Sequence, residues 1–273
     1  MMEVIWKVIL LGILQGVLEW LPISSQGNLV LVMIYLLGMG QAEALNLSVY
    51  LHIGTFFAAL TYFRYDFLTL AKNLPSYRFQ FGNGVNSLVS FLLFSSILSG
   101  LVGYFIVRLA EISLSVGEYF TGMMGVALLV TGVLQKYSTK TGRREIEDVK
   151  PSDTFLLGIA QGFSAFPGIS RSGITIFALL LRKFKNEAAI KLSFLMSVPA
   201  VIGAGLGLGL GRSFVSVGTI GLLVGCLSSF LTGLPSIRIM MKTAQKVNFW
   251  SFCVFIGSLA LLPTFSNILA TLS

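Results

Sequence analysis

The chain has 273 residues, of which 55% are hydrophobic and only 11% charged, and its mean hydropathy is +0.86. That composition excludes an ordinary soluble domain and predicts about six to eight membrane segments folded as one unit. The formal net charge of +8 comes from Lys and Arg scattered between apolar runs, so it speaks for membrane topology and against nucleic acid.

The first apolar stretch, Val4 to Trp20, is interrupted by Lys7, Gln15 and Glu19. It lacks the basic start and small-residue cleavage site of a signal peptide, so it is expected to remain in the mature protein. Leu29 to Leu37 follows it closely. Six runs of spanning length come at about Leu47 to Phe63, Gly84 to Val107, Glu118 to Gln135, Ala188 to Leu210, Val217 to Ile237 and Phe249 to Leu269. Between the third and fourth lie Thr154 to Phe166 and Ile174 to Leu181, a second long-and-short pair. The short arms reach only about 15 Å at 1.5 Å per residue, against a hydrocarbon layer of about 30 Å. Each pair therefore reads as a helical hairpin that enters and leaves by one face. Cys226 and Cys253 sit in apolar runs without metal-ligand spacing and read as small buried hydrophobes.

Charge discriminates between hairpins and broken spans. With two hairpins, one face collects 15 of the 19 basic residues, among them Arg64, Lys140, Arg144, Arg182 and Lys246, while Lys7, Arg108 and Arg212 stay on the other and Arg171 lies inside a hairpin. With two broken spans the same residues divide 10 to 8 and the bias vanishes. The positive-inside rule selects hairpins, with the basic face cytoplasmic and both termini outside. Glu118 and Arg108 read as interfacial span ends, and Lys140 to Asp153 as a solvated cytoplasmic loop.

The two hairpins repeat a phrase. Offset by 146 positions, Gly12/Gly158, Ile13/Ile159, Gln15/Gln161, Gly16/Gly162, Ile23/Ile169, Ser24/Ser170 and Gly27/Gly173 are identical, seven of sixteen aligned positions. This predicts one membrane domain over 1-273, built of halves at about 1-146 and 147-273. A hairpin plus three spans crosses an odd number of times, so the halves are inverted and the hairpin tips meet near the midplane. The fold class expected is all-α, with an inverted-topology repeat of six transmembrane helices plus two re-entrant hairpins. The repeated glycines read first as close helix packing.

Irregular backbone at membrane depth survives only where it is buried in protein or lines a wet cavity. Pro22 to Gly27 and Pro167 to Gly173 are such segments. Their serines open the second arms, where helix N-termini and hydroxyls make an anion seat. Glu19 and Arg171 are costly at that depth, about 2.5–3.5 kcal/mol each on insertion scales, which marks them as functional. Arg171 offers a fork for phosphate oxygens beside Ser170, Ser172 and Thr175. Glu19, one turn after Gln15, can take a proton or, with Gln15, hold a divalent cation such as Mg²⁺ or Ca²⁺. Ser25 is the candidate nucleophile, with an activated water as the alternative. An amphiphilic phosphate would reach this site sideways from lipid.

These residues carry a family resemblance. The chain resembles the undecaprenyl pyrophosphate phosphatases: Gln15-Gly-Val-Leu-Glu19 fits their Glu/Gln-x-x-x-Glu motif, Pro22-Ile23-Ser24-Ser25 their Pro-x-Ser-Ser segment, and Pro167 to Thr175 their PGxSRSGxT motif, with Ser193-Phe194-Leu195 and Val198-Pro199 also similar. The resemblance implies removal of the terminal phosphate of a polyprenyl diphosphate carrier, two re-entrant hairpins, a site open to the outer face of the cell membrane, and divalent-cation dependence. It implies Glu19 as base or metal ligand, Ser25 as nucleophile and Arg171 as clamp, with Ser24, Ser170, Ser172, Gly173 and Thr175 around the phosphate. Asn28 stands where the family commonly has His, so activation of Ser25 from that position is not expected. His52, where the family often has Gln, reads as a packing residue, with reach to the site from a neighbouring helix as the alternative. The partners expected are the lipid substrate and membrane lipid, and a homodimer is compatible with this reading. Inverted repeats with broken helices also serve transporters, so translocation of a lipid phosphate or another anion is the rival function.

Overall fold

A computed structural model describes residues 2–82, 84–115, 120–137, 142–208, 217–243 and 250–272. Within them the chain forms eleven α-helices and no strand. The helices are α1 (Met2–Leu18), α2 (Ser25–Tyr35), α3 (Gln41–Tyr62), α4 (Arg64–Asn73), α5 (Val85–Ser115), α6 (Phe120–Lys136), α7 (Pro151–Phe163), α8 (Arg171–Leu181), α9 (Asn186–Leu208), α10 (Gly218–Thr243) and α11 (Trp250–Leu272). Within the described residues all six expected runs are helical, and each long-and-short pair is two helices with a break between them. Three helical segments among the described residues are long and apolar enough to cross a membrane, Gln41–Tyr62, Val85–Leu109 and Gly218–Thr243. The short arms α2 and α8 have 11 residues each, about 16 Å of helix. The short helix α4 went unforeseen because its polar sequence carries little apolar signal. Glu118, Lys140, Arg212 and Lys246 lie outside the described residues.

Helix pairing follows a crosswise pattern. The long arm α1 packs on α10 and the long arm α7 on α5; α10 also packs on α3 and α5 on α9, while α6 packs on α11. Small residues permit the two arm contacts. A Cβ at Gly12 or Gly16 would run into the α10 backbone at Gly225, Ser229 and Gly233, and one at Gly158 or Gly162 would meet Leu98 and Val102 of α5. The repeated glycines thus serve close helix contact, where van der Waals packing between helices depends on small side chains. The core centres on Trp20, Phe184 and Phe194, with a second cluster around Leu11, Leu29, Met33, Leu47 and Met124.

The described segment before α7 is largely exposed, as a solvated loop would be, but its end is not. Asp153, in the first turn of α7, is fully buried. Arg144 donates to both of its carboxylate oxygens, Arg182 Nε donates to Oδ1 at 2.6 Å, and the Lys150 N–H donates to Oδ2 at 2.9 Å. Burial alone would raise the Asp153 pKa, but the two guanidiniums and the backbone donor outweigh it and hold the carboxyl below its usual range. The Arg144 guanidinium also lies 4.1 Å from the Phe184 ring centroid. A charged stretch reads as solvated when its partners are not adjacent in sequence; here guanidiniums 9 and 29 positions away fold back onto one carboxylate.

Candidate active site

The two breaks meet. Gly27 at the first tip lies against Gly168 at the second, where a Cβ on Gly27 would come within 2.9 Å of the Gly168 Cα. Gly168 itself has φ +106°, a conformation that favours glycine. Both short arms begin alike. Ser24 caps α2 by accepting from the Gly27 N–H at 3.3 Å, and Ser170 caps α8 by accepting from the Gly173 N–H at 3.0 Å. This N-cap geometry is why the Ser-x-x-Gly spacing appears in both halves. Ser24 holds φ 58°, which turns the chain sharply out of the break. Asn28 secures that turn by donating to the carbonyls of Ile23 at 2.6 Å and Ser24 at 2.8 Å. Its side chain is therefore committed to the backbone of the tip.

Glu19, at the end of the first long arm, is the centre of the arrangement. Its Oε1 accepts from Arg171 Nη2 at 2.6 Å. Its Oε2 accepts from Ser25 Oγ at 2.6 Å and from Gln15 Nε2 at 3.0 Å, and His52 Nε2 lies 3.2 Å away. His52 Nδ1 is 2.7 Å from the Ser48 carbonyl, so both of its ring nitrogens face oxygen acceptors. The histidine thus reaches the site from α3, the alternative to a plain packing role. A carboxylate inside apolar protein needs such partners, since an unpaired charge there is very costly.

Arg171 is held from three sides. Besides Glu19, its Nη1 donates to the Ser193 carbonyl of α9 at 3.1 Å, and its guanidinium lies 5.8 Å from the ring centroid of buried Trp20. Trp20 is in turn seated edge-to-face on Phe194 at 4.9 Å. Two of the five guanidinium N–H groups are used by Glu19 and Ser193. Among the described residues the other three have no hydrogen-bond acceptor.

A pocket of about 40 Å³ opens at these side chains, with room for roughly two or three waters. Glu19, Ser24, Ser25, His52, Ser170, Arg171 and Ser172 line it, joined by Gln26 and Ile169 from the two tip segments and by Ser164, which no motif marks. The Ser172 hydroxyl donates to the Leu21 carbonyl at 3.0 Å, tying the second tip to the first, and Ser170 Oγ is 3.2 Å from Ser172 Oγ. Thr175 and Gly173 are placed behind the pocket wall. Gly173 serves the cap, and the Thr175 hydroxyl donates to the Arg171 carbonyl at 2.7 Å. Thr131 of α6 also supports the tip, accepting from the Ser170 N–H at 3.2 Å. A lone threonine in an apolar helix carried no sequence signal for this.

The donor set bears on a divalent cation. Hard cations take oxygen ligands, and Gln15 Oε1 is buried with no hydrogen-bond partner beside the Glu19 carboxylate. One carboxylate and one free amide oxygen fit a hard cation whose remaining ligands come from water or phosphate. Among the described residues there is no cluster of three or more His, Cys, Asp and Glu side chains that would cage an ion alone.

Comparison with known proteins agrees with the residues. The family model described as bacitracin resistance protein BacA matches residues 8–262. An undecaprenyl-diphosphatase of Methanococcoides burtonii is 44% identical over 268 residues, covering 95% of this chain and 98% of that protein. Proteins of the same name from Methanothrix thermoacetophila and Alkaliphilus metalliredigens are 35% and 34% identical, each over 94% of this chain and over 96% and 98% of their own lengths.

Proposed function

The chain belongs to the bacitracin resistance protein BacA family, and from that premise we infer that it hydrolyses undecaprenyl diphosphate to undecaprenyl phosphate and inorganic phosphate. The observation that carries the reading is the Ser25 hydroxyl donating at 2.6 Å to a carboxylate that also faces Arg171. Nucleophile, base and phosphate clamp are within one pocket. Translocation of a lipid phosphate has no use for a serine bonded to a buried base, which favours hydrolysis over transport.

In the reaction we propose, Arg171 turns its free N–H groups to the terminal phosphate. Ser25 Oγ attacks that phosphorus as Glu19 Oε2 takes the hydroxyl proton, and the bond from phosphorus to the bridging oxygen breaks, releasing the lipid monophosphate. Water then attacks the phosphoserine and frees inorganic phosphate, with Glu19 returning the proton to Ser25. Phosphoryl transfer depends chiefly on positioning and charge neutralisation, and Arg171 and the N-terminus of α8 provide both. Glu19 and Gln15 would hold a divalent cation, which when bound neutralises charge on the diphosphate. Ser24, Ser170 and Ser172 border the same pocket and form its polar wall. In this proposal a phosphate that takes the place of Glu19 on Arg171 exchanges one anionic partner for another.

The topology belongs to the same proposal. The crosswise packing, α1 on α10 and α7 on α5, is what a two-fold relation between inverted halves produces, and it supports two re-entrant hairpins. The positive-inside bias supports termini on the extracytoplasmic side, and the family resemblance supports a pocket that opens there. Cysteines introduced at Leu36 and at Lys183, labelled with an impermeant reagent on intact cells, test this: only Leu36→Cys reacts. The function is tested by phosphate release from undecaprenyl diphosphate in detergent. Wild type turns over and Glu19→Ala and Arg171→Ala do not; turnover in either variant overturns the assignment.

A further inference from the structure

Thr175 and Ser193 carry hydroxyls that the reaction leaves unused, and both side chains are fully buried. Their protons can be ordered. The Thr175 hydroxyl has one proton and spends it on the Arg171 carbonyl, 2.7 Å away, because a carbonyl can only accept. In the 2.7 Å contact between Thr175 Oγ1 and Ser193 Oγ, the serine must then be the donor. The Ser193 carbonyl accepts from Arg171 Nη1 at 3.1 Å. Three hydrogen bonds close a ring: Arg171 guanidinium to Ser193 carbonyl, Ser193 hydroxyl to Thr175 hydroxyl, Thr175 hydroxyl to Arg171 carbonyl.

We propose that this ring aims the phosphate clamp, with Thr175 and Ser193 as positioning residues for Arg171. The inference rests on Arg171 binding the phosphate, as in the reaction above. Arginine has four side-chain torsions between backbone and guanidinium, and the ring fastens both ends of that lever to one residue of α9. The fork therefore stays directed at the pocket even while Glu19 releases it to a substrate. An error of about 1 Å in such a group can cost about 100-fold in rate. The ring also gives α9, which contributes no pocket-lining residue, a direct hold on the chemistry.

The test measures undecaprenyl diphosphate turnover and, separately, pyrophosphate affinity by calorimetry. Thr175→Val keeps shape and removes the hydroxyl; Ser193→Ala removes the second link. Each is expected to lower kcat/KM by about 10- to 100-fold and to weaken pyrophosphate binding, and Thr175→Ser restores most of the loss. The double variant Thr175→Val/Ser193→Ala is no worse than the poorer single one, since both break one ring. Wild-type turnover in both single variants, failure of Thr175→Ser to restore, or multiplied losses in the double variant overturns the proposal. If Thr175→Val does not fold, Ser193→Ala is read alone: about 10-fold loss or more supports the ring, and wild-type values overturn it. Wild type that binds pyrophosphate but releases no phosphate would instead remove the hydrolytic reading, and the affinity measurements would still decide the ring.

Discussion

Glu19 and Arg171 stand 152 positions apart in the chain and 2.6 Å apart in space. One belongs to each repeated phrase, and the pair joins the two breaks. Buried opposite charges hold one another at low net gain, whereas removing either partner leaves an uncompensated charge. The pair is therefore a structural tie, and in the reaction proposed above a phosphate takes the place of the carboxylate on Arg171.

Glu19→Gln keeps the size of the side chain and removes the base. Turnover should fall by about 100- to 10,000-fold, the usual range for loss of a general base. Pyrophosphate affinity should hold or tighten, because Arg171 no longer has a competing anion. Weaker binding in this variant would mean that Glu19 acts in binding alone.

Ser25→Ala separates covalent from direct attack. With Ser25 as nucleophile, acid-quenched wild-type enzyme yields a phosphopeptide containing Ser25, and the alanine variant loses turnover by 100-fold or more, about 3 kcal/mol of barrier. Turnover near wild type in Ser25→Ala would place water at the phosphorus instead.

His52 Nε2 lies 3.2 Å from the Glu19 oxygen that, in the proposed reaction, takes the Ser25 proton. Glutamine can also donate to Glu19, so His52→Gln should retain most activity, while His52→Ala should lose about 10-fold, about 1.4 kcal/mol. Equal behaviour of the two variants would reduce the histidine to packing.

Chelation tests the cation. Phosphate release should cease in excess EDTA and return with Mg²⁺ or Ca²⁺. Gln15→Ala should raise the cation concentration needed for half-maximal rate, whereas Gln15→Glu, which restores a carboxylate ligand, should lower it. Full activity in EDTA would leave Arg171 and the helix N-termini as the only neutralising groups.

Asp153 gives the protein an acid-sensitive tie. Its folded pKa is below its unfolded value, so its contribution is fully present above the usual carboxylate range. It is lost as pH falls through the folded pKa. Thermal midpoints should therefore drop between about pH 4 and lower values in wild type. Asp153→Asn should be less stable at neutral pH and show a flatter acid limb; parallel curves would exclude this carboxylate.

Much of the molecule was legible from residue order. Apolar run length predicted six long helices, and the two short arms were expected because a run of eight or nine apolar residues cannot cross the hydrocarbon layer. The Ser-x-x-Gly phrase foretold helix starts, since a cap needs an acceptor three residues before its donor. Glu19 and Arg171 stood out because ionised groups are costly in apolar surroundings. What periodicity and motif could not supply was the partner of each group. His52 looked like packing until α3 brought it to Glu19, and Asp153 looked solvated until Arg144 and Arg182 folded onto it. Thr175 reads as a phosphate-side residue from its motif, and only the fold shows its hydroxyl donating to the Arg171 carbonyl. A hydroxyl or carboxylate announces that it can bond, but the direction of its bond is settled only when other helices arrive. The chain order thus determined where polar groups interrupt the apolar runs, and tertiary packing alone decided which of them face the pocket and which hold those that do.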